Sequence, residues 1–432
     1  MGDRSLIPLV AASVIFFATY AGILSERVHR TIVALAGAVA MIAVGGWLSF
    51  YGLPQAGAAI DFNTISLLLG MMLVVGILNK TGLFPYLAIR TVQLTKGQPQ
   101  RVMLALGLFT ALVSMVLDNV TTIMVVAPVT LSIAEVMEIS PVPLLIGEAV
   151  LSNTGGVATL IGDPPNVLIG SAAGLSFNDF LIHLAPIVLV AWIVTQIMLR
   201  IRFRRELRPR RAGTWPQLNA RRALVDPRTA KRMLIVLGAT ILLFLIHDRI
   251  ALLPGMVALL GACAALLWLR PPIEEILREI HWDVLLFFVS LFIIVGGLDA
   301  AGALDLIAEA VTGLAGQGML VATLAVLWIS AIMSAIVDNI PFTIAMLPII
   351  GGLAARGVNV APLWWALALG VGFGGNGTPI GSTTNVVAVS VSERADTPIT
   401  FGTWLRSGTL TALVSCVIAS LALALAIELG FF

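Results

Sequence analysis

The chain has 432 residues, of which 59% are hydrophobic and 11% charged, and its formal net charge at pH 7 is +2. A mean hydropathy of +1.03 excludes an ordinary soluble domain, in which about 25% of the residues are charged. The two cysteines, Cys263 and Cys416, stand alone in apolar segments, so we expect neither a disulfide framework nor a thiolate metal site.

Apolar segments long enough to cross about 30 Å of hydrocarbon recur from end to end and predict an all-α polytopic membrane protein. The first segment has no small-residue cleavage site before the next span, so it is predicted to be a retained helix rather than a signal peptide. The first half reads as spans at 6–24, 31–50 and 62–79, an amphipathic stretch at 84–96, a pair of helices with a polar tip at 101–117 and 120–137, a broken span at 144–174 and a full span at 180–200. The second half repeats this order, with spans at 233–247, 252–269 and 282–299, an amphipathic stretch at 304–315, a pair at 319–337 and 340–355, a broken span at 362–392 and a last span at 403–430.

Two polar motifs occur once in each half. The run Ser-Met-Val-Leu-Asp-Asn at 114–119 returns as Ser-Ala-Ile-Val-Asp-Asn at 334–339, an offset of 220 residues. A second pattern, Gly-Gly-x-x-Thr-x-Ile-Gly-x-x-x-Asn, begins at Gly155 and again at Gly374. The chain therefore divides into repeat 1 (1–200), a basic linker (201–232) and repeat 2 (233–432). Duplicated polar breaks in apolar helices are typical of the solute site of a transporter.

Each repeat crosses the membrane five times if its polar-tipped pair enters and leaves on the same side, which gives about 10 spans in all. Because five is an odd number, the second repeat is predicted to have the opposite orientation in the membrane. The segment 200–232 carries 12 of the 25 Lys and Arg residues, so the positive-inside rule places it in the cytoplasm. Both termini then lie outside, and 22 cations fall inside against three outside. We interpret the basic linker as a topology determinant near anionic lipid, not as a nucleic-acid site.

Ionisable groups occur at the breaks, where neutral caps would serve as well. Asp118 and Asp338 stand where one helix ends and the next begins, so each is predicted to cap the new helix. Because Ser or Asn would cap without the cost of a charge in the membrane, we also expect proton or cation coupling at Asp118, Asp338 and Asp163. Asp163 has Ser382 as its equivalent, so repeat 1 is expected to carry more of the coupling. Two interpretations of Glu148 stay open at this point: it is a proton carrier, or it is an acid in an aqueous vestibule near the inner surface of the membrane.

The predicted solute-binding residues combine neutral hydrogen-bonding groups with glycines that let the backbone approach a ligand closely. They are Asn119, Thr121, Thr122, Asn339, Gly155, Gly156, Thr159, Asn166, Gly374, Gly375, Thr378 and Asn385. No Lys, Arg or His is expected at this site. Such an electronegative centre would repel a dianion and suits a cation, a proton or a neutral polyhydroxy solute.

At these motifs the chain resembles the ion transporter superfamily, in particular the branch of arsenite permeases, the melanosomal P protein and NhaD-type sodium/proton antiporters. The resemblance implies an inverted-repeat fold with two re-entrant hairpins (101–137 and 319–355), two broken helices, and scaffolds within 6–79 and 233–299. It also implies an elevator-type mechanism, connecting arms at 84–96 and 304–315, and a possible homodimer. Dicarboxylate carriers of the superfamily have Ser-Asn-Thr at their hairpin tips, whereas this chain has Asp-Asn.

Within that branch the expected function is export of arsenite or antimonite as neutral trihydroxides, in exchange for protons and across a bacterial or archaeal cytoplasmic membrane. The alternatives are a sodium/proton antiporter and an anion transporter of the P-protein or dicarboxylate type. No cofactor is expected beyond the proton gradient or Na⁺. Because the chain has no nucleotide-binding motif, any use of ATP would belong to a soluble ATPase partner. It also has no catalytic metal cluster, nucleophile elbow or phosphate loop, so we do not expect an enzyme.

Overall fold

The computed structural model describes residues 6–25, 27–207, 220–304, 318–393, 395 and 398–431. Within these ranges every regular element is helical, and nine helices are long and apolar enough to cross a membrane. The all-α class predicted from the sequence is therefore confirmed.

The helices of repeat 1 follow the predicted order, with a short helix before the third span and another before the last. They are α1 (Leu6–Leu24), α2 (Arg30–Trp47), α3 (Leu53–Ala59), α4 (Phe62–Lys80), α5 (Leu83–Gln93), α6 (Pro99–Ser114), α7 (Asn119–Val136), α8 (Val142–Gly156), α9 (Pro164–Ala173), α10 (Phe177–His183) and α11 (Ala185–Arg202).

The helices of repeat 2 follow the linker, of which residues 220–226 precede the first span. They are α12 (Ala220–Ala223), α13 (Pro227–Ile246), α14 (Pro254–Leu269), α15 (Ile273–Leu277), α16 (Trp282–Ala300), α17 (Met319–Ile336), α18 (Asn339–Ala355), α19 (Ala361–Gly374), α20 (Thr383–Ser392), α21 (Phe401–Trp404) and α22 (Leu410–Glu428). The amphipathic stretch predicted at 304–315 lies outside the described residues except for its first residue. The last span contains a π-helical turn at Leu405–Thr409, which the sequence pattern did not reveal.

Each polar-tipped pair is two helices joined by a short turn that ends in an aspartate. The Asp118 carboxylate caps α7 by accepting from the backbone N–H of Thr121 at 2.8 Å. Asp338 caps α18 through the N–H of Ile340 at 3.4 Å. The predicted capping role of both residues is thus present in the structure. We call Asp118-Asn119 the first tip and Asp338-Asn339 the second tip.

Both broken spans interrupt their backbone at the glycine motif. The first gap separates α8 from α9, and the second separates α19 from α20, with a 3-10 turn at Gly375–Gly377 between them. Every residue of α8 is buried, because α6, α7, α11 and α20 pack around it. Non-helical backbone at this depth is tolerated where protein buries it or where it lines a cavity, and residues 157–163 of the first gap are all buried.

The two repeats interlock rather than lying side by side. Two of the most extensive helix contacts join different repeats, α4 with α14 and α2 with α16, and α1 packs on α2. The hairpin and broken helices pack mainly among themselves, α6 with α8 in repeat 1 and α17 with α19 in repeat 2. We call α1, α2, α4, α13, α14 and α16 the outer group, and the hairpins, broken helices, α11 and α22 the inner group.

Candidate functional site

A buried aspartate lies between the two hairpin tips. Asp163, which has an exposed fraction of 1%, follows the gap in the first broken span. Its Oδ1 accepts from Asn119 Nδ2 at 3.2 Å and from Asn339 Nδ2 at 3.5 Å. The first and second tips therefore meet at one carboxylate, although they are 220 residues apart in the sequence.

Asn153 joins the two repeats through its side-chain amide. Its Nδ2 donates to Asn376 Oδ1 and to Asn385 Oδ1, each at 2.9 Å. Its Oδ1 accepts from Asn119 Nδ2 at 3.0 Å and from Ser382 Oγ at 3.3 Å. These four bonds connect the first tip to both sides of the second gap, in a region closed to solvent.

The sequence reasoning missed Asn153 and Asn376. Asn153 lies between Ser152 and Thr154, and Asn376 lies between two glycines, so each is a polar residue within a predicted broken span, and that signal was available. The repeat comparison concealed them because their equivalents, Gly372 and Val157, are not polar. Val157 lies so close to Gly372 that a Cβ there would be 2.1 Å from Val157 Cγ2. The repeat thus relates the polar contact between Asn153 and Asn376 to an apolar contact between Gly372 and Val157.

The repeated asparagines at 166 and 385 satisfy backbone groups that the breaks leave without helical partners. Asn166 Nδ2 donates to the carbonyls of Gly156, Val157 and Thr159, the closest at 2.8 Å. Asn385 Nδ2 donates to the carbonyls of Gly375 and Thr378 at 2.8 and 2.9 Å. Thr159 and Thr378 donate in turn to the carbonyls of Met115 and Ala335, which precede the tips. These four side chains hold each gap to its hairpin.

The motif glycines face neighbouring backbone. A Cβ on Gly155 would lie 2.7 Å from the carbonyl oxygen of Ala111, and one on Gly374 would lie 2.3 Å from that of Ala331. Gly156 and Gly375 pack against the far side of their own gaps, at Gly162 and Gly381. We predicted that the backbone at these glycines approaches a ligand closely. In this conformation it approaches the backbone of neighbouring protein segments instead.

A cation lies at the second tip, contrary to the expectation that the site holds no Lys, Arg or His. Arg30 Nη1 donates to Asp338 Oδ2 at 2.6 Å and to Thr383 Oγ1 at 2.7 Å. Thr383 Oγ1 donates to the same carboxylate oxygen at 3.0 Å. The prediction placed Arg30 in an inner loop, but it is the first residue of α2, and its long side chain reaches the tip from there. At the first tip, Asp118 instead accepts from the hydroxyl of Thr121 at 2.6 Å.

Two adjacent cavities lie beside the first tip. The larger has a volume of about 200 Å³, and its polar lining comes from Arg30, Asp118, His281, Asp283 and Thr383. The smaller, of about 140 Å³, is lined by Thr121 among others and shares Met72, Val75, Met124 and His281 with the larger. His281 is therefore a second basic residue that the sequence argument did not place near the site.

The remaining predicted residues are buried beside the cavities and not in their walls. Asn119, Asn339, Asn166 and Asn385 are each at most 5% exposed. Thr122 donates to the carbonyl of Asp118 in its own helix. The side-chain oxygens Oδ1 of Asn119 and Oδ1 of Asn166 have no hydrogen-bond partner among the described residues. The unpartnered oxygen of Asn119, whose amide nitrogen donates to the Asp163 carboxylate, would suit a cation or a solute that donates hydroxyl hydrogens.

Glu148 is buried with an exposed fraction of 1%, so it does not face an aqueous vestibule in this structure. Its Oε1 accepts from the hydroxyl of Thr130, while Oε2 has no partner among the described residues. Five residues separate Glu148 from Asn153 on the same helix, so they are about 7.5 Å apart along its axis.

Known proteins resemble this chain over nearly its whole length. The family model described as citrate transporter (CitMHS) matches residues 20–370. The 46 kDa membrane protein of Mycobacterium leprae is 39% identical over 417 residues, covering 95% of this chain and 97% of that protein. The human P protein is 30% identical over 497 residues, covering 94% of this chain and 58% of that protein.

The fold also matches a solved structure, that of the YdaH transporter of Alcanivorax borkumensis. The TM-score is 0.64 at 13% sequence identity, over 93% of this chain and 99% of that one, so the likeness shows the fold alone. A relative in Mycobacterium bovis that is 38% identical over 420 residues, covering 95% of this chain and 97% of that protein, is named a transporter, as is the family model. The chain is accordingly a multi-pass membrane transporter and not an enzyme. It belongs to the CitMHS citrate transporter family of the ion transporter superfamily.

Proposed function

We propose that the chain is a secondary active transporter that exports arsenite or antimonite in exchange for inward protons. The observation that carries the proposal is the Asp163 centre, where a buried carboxylate accepts from Asn119, whose own side-chain oxygen has no partner among the described residues. A neutral trihydroxide has three O–H donors, and carboxylate and amide oxygens are acceptors. No basic side chain is hydrogen-bonded to Asp163 in the described structure, so nothing there favours an anion.

Exchange follows from competition at one carboxylate. An ionised Asp163 accepts hydroxyl hydrogens through both oxygens, whereas a protonated Asp163 has lost part of that acceptor capacity. Proton binding then weakens solute binding at the Asp163 centre, so the two compete there. A carrier that changes sides only when one or the other is bound exchanges them. Asp118 and Glu148 are the further candidates for carrying protons to and from it.

The cavities provide the route on one side. They are lined by the linker-side ends of α2, α4 and α16, and the carbonyl of Thr81, just after α4, accepts from the linker N–H of Val225 at 2.9 Å. Because the linker is predicted to be cytoplasmic, we propose that this conformation is inward-facing in a bacterial or archaeal cytoplasmic membrane. A solute leaving the cell would enter here and reach the Asp163 centre past Asp118.

A second candidate function is transport of an anion. Arg30 and His281 line the larger cavity, and Arg30 uses only Nη1 toward Asp338 and Thr383 in the described structure. Its other N–H groups could bind a carboxylate or another oxyanion. This candidate agrees with the citrate described for the family model. A sodium/proton antiporter is the third, since Na⁺ also binds to carboxylate and amide oxygens. Association with a soluble ATPase or with a second copy is compatible with any of the three.

The test is uptake into everted vesicles from cells that lack their own arsenite exporter. Arsenite, antimonite, citrate, Na⁺ and Li⁺ are compared with and without an imposed proton gradient. We expect proton-driven accumulation of arsenite and antimonite, which Asp163→Asn abolishes and Asp226→Asn, in the linker, leaves intact. Citrate accumulation without arsenite accumulation would establish the second candidate, and proton release driven only by Na⁺ or Li⁺ would establish the third.

A further inference from the structure

Two side chains of the outer group bind the second tip of the inner group. Besides the Arg30 pair with Asp338, Tyr20 Oη of α1 donates to the carbonyl of Pro341 at 2.7 Å. The side chains of Arg30 and Asp338 are 24% and 13% exposed, and the guanidinium carbon lies 5.2 Å from the ring centre of Phe287. The pair is therefore partly shielded from solvent and is held in one geometry.

Among the described residues, no side chain of the outer group binds the first tip. The repeat relates Thr19 and Gly37, which pack together, to Thr240 and Gly261, which also pack together. By that register, Tyr20 corresponds to Ile241, and Arg30 falls at Leu253 or Pro254. These apolar residues can form neither an ion pair with Asp118 nor a side-chain hydrogen bond to a backbone carbonyl.

The two ties lie on the same side of the molecule as the cavities. Arg30 begins α2 and lines the larger cavity, and Tyr20 is one turn before the end of α1, so both are at the linker-side ends of their helices. If the inner group moves across the membrane, the second tip must leave these ends when the opposite side opens. The opposite state would place the first tip near α13 and α14, where the residues equivalent to Tyr20 and Arg30 are apolar.

We propose that Arg30 and Tyr20 are positioning residues that hold the second tip on the linker side, so that the empty transporter rests with its linker-side cavity open. We call this pair of contacts the tip latch. The inference rests on the alternating-access transport proposed above, but not on the identity of the solute. An inverted-repeat protein that makes equal contacts in its inward-facing and outward-facing states would populate both states. A contact that is made in only one state changes the ratio of their populations by an amount set by the free energy of that contact.

The repeat supplies a matched pair of reporters. Val75 lines both cavities, although its exposed fraction is only 4%. Its equivalent at an offset of 220, Val295, is 5% exposed and lines neither of the two cavities. In a background of Cys263→Ser and Cys416→Ala, Val75→Cys is labelled with a membrane-impermeant maleimide in everted vesicles. Val295→Cys is labelled in vesicles of the opposite orientation. No solute is added to either preparation.

We expect Val75→Cys to react faster than Val295→Cys, because position 75 lines the two cavities and position 295 does not. Adding Arg30→Gln should accelerate labelling of Val295→Cys about tenfold or more, because a shielded ion pair is lost in one state only. Tyr20→Phe removes one hydrogen bond and should accelerate it about fivefold. Arg30→Lys should have a smaller effect than Arg30→Gln. Arg202→Gln is the control, since its partner Glu206 lies one turn away on an exposed surface at 3.5 Å.

Unchanged labelling of Val295→Cys in both Arg30→Gln and Tyr20→Phe would overturn the tip latch, provided that both variants elute as single peaks in detergent. If Arg30→Gln does not fold, Tyr20→Phe decides, because it removes only one hydroxyl group. Failure of the arsenite assay leaves this test unaffected. Conversely, a failed labelling test leaves the proposed solute untouched.

Discussion

Replacing Asn153 by alanine should destabilise the protein more than any single hydrogen bond between the repeats can explain. The change removes four hydrogen bonds and leaves Asn376 Oδ1 and Asn385 Oδ1 without a donor in the described structure. A buried acceptor left unsatisfied costs about 1–3 kcal/mol, so the two together cost about 2–6 kcal/mol. The cavity left by the missing amide group adds to this cost.

A matched control lies on the same interface between the repeats. Thr195 and Ser415, exactly equivalent by the 220 offset, are hydrogen-bonded to each other at 3.4 Å and buried. Thr195→Ala breaks this single bond and should cost about 1 kcal/mol. Both variants are heated in detergent, and the temperature at which half of the monodisperse protein is lost is measured by size-exclusion chromatography.

Asn153→Asp separates the hydrogen bonds from the cavity, because it keeps the volume and removes both N–H donors. It should melt well below the wild type at pH 8 and recover in part at acid pH, where a protonated carboxyl regains one donor. The reasoning is refuted if Asn153→Ala melts no lower than Thr195→Ala, or if Asn153→Asp melts like the wild type at pH 8.

Three other outcomes are expected. Gly155→Ala should lower the melting temperature, because the added Cβ would lie 2.7 Å from the carbonyl oxygen of Ala111. Gly238→Ala is the control and should be neutral or stabilising, because a Cβ there would have no neighbouring atom within 4 Å. Equal melting temperatures for the two variants would contradict the packing argument. Asp118→Asn should abolish arsenite resistance in a sensitive strain while the protein still reaches the membrane, and full resistance would remove Asp118 from the coupling path. Asp226 caps α13, and hydrogen bonds from Thr229 lower the pKa of its carboxyl group. The stabilisation that the ionised cap gives the folded protein is therefore present above the unfolded-state pKa and is lost as the pH falls through the folded-state pKa. Asp226→Ala should accordingly melt below the wild type at pH 7 but not at pH 2.

Much of the architecture could be predicted because the bilayer restricts it severely. Span length, helix breaks at Gly and Pro, and capping at Asp118 and Asp338 are local properties, and the helices observed follow them closely. Helix ends were less predictable. The segment predicted at 31–50 ends as a helix at Trp47, where Ser49 adopts a positive φ of 59°, and the span predicted from 233 begins at Pro227 behind the Asp226 cap.

The types of residue in the site could be predicted from the sequence, but the hydrogen bonds between them only in part. The repeat identified Asn119, Asn339 and Asp163 as polar groups within the membrane, and the fold brings all three together. It could not reveal Asn153 or Asn376, because inverted symmetry does not require equivalent residues to share chemistry. Nor could it reveal that the predicted solute-binding side chains are hydrogen-bonded to other protein groups in this conformation, many of them to backbone carbonyls.

The helical class follows from the sequence alone, because hydrocarbon requires every spanning segment to satisfy its own backbone hydrogen bonds. The two repeats and the polar breaks are also visible in the sequence, since the motifs that begin at Ser114 and Gly155 return at Ser334 and Gly374. The opposite orientation of the repeats is a prediction from the number of spans and the distribution of charge. Only the tertiary structure decided which charges meet. Arg30 reads as an inner-loop cation, yet its side chain is long enough to reach a carboxylate 308 residues away in the sequence. Glu148 lies in a helix that its neighbours bury completely. Such contacts depend on how helices from both repeats pack together, and local sequence carries no record of that packing.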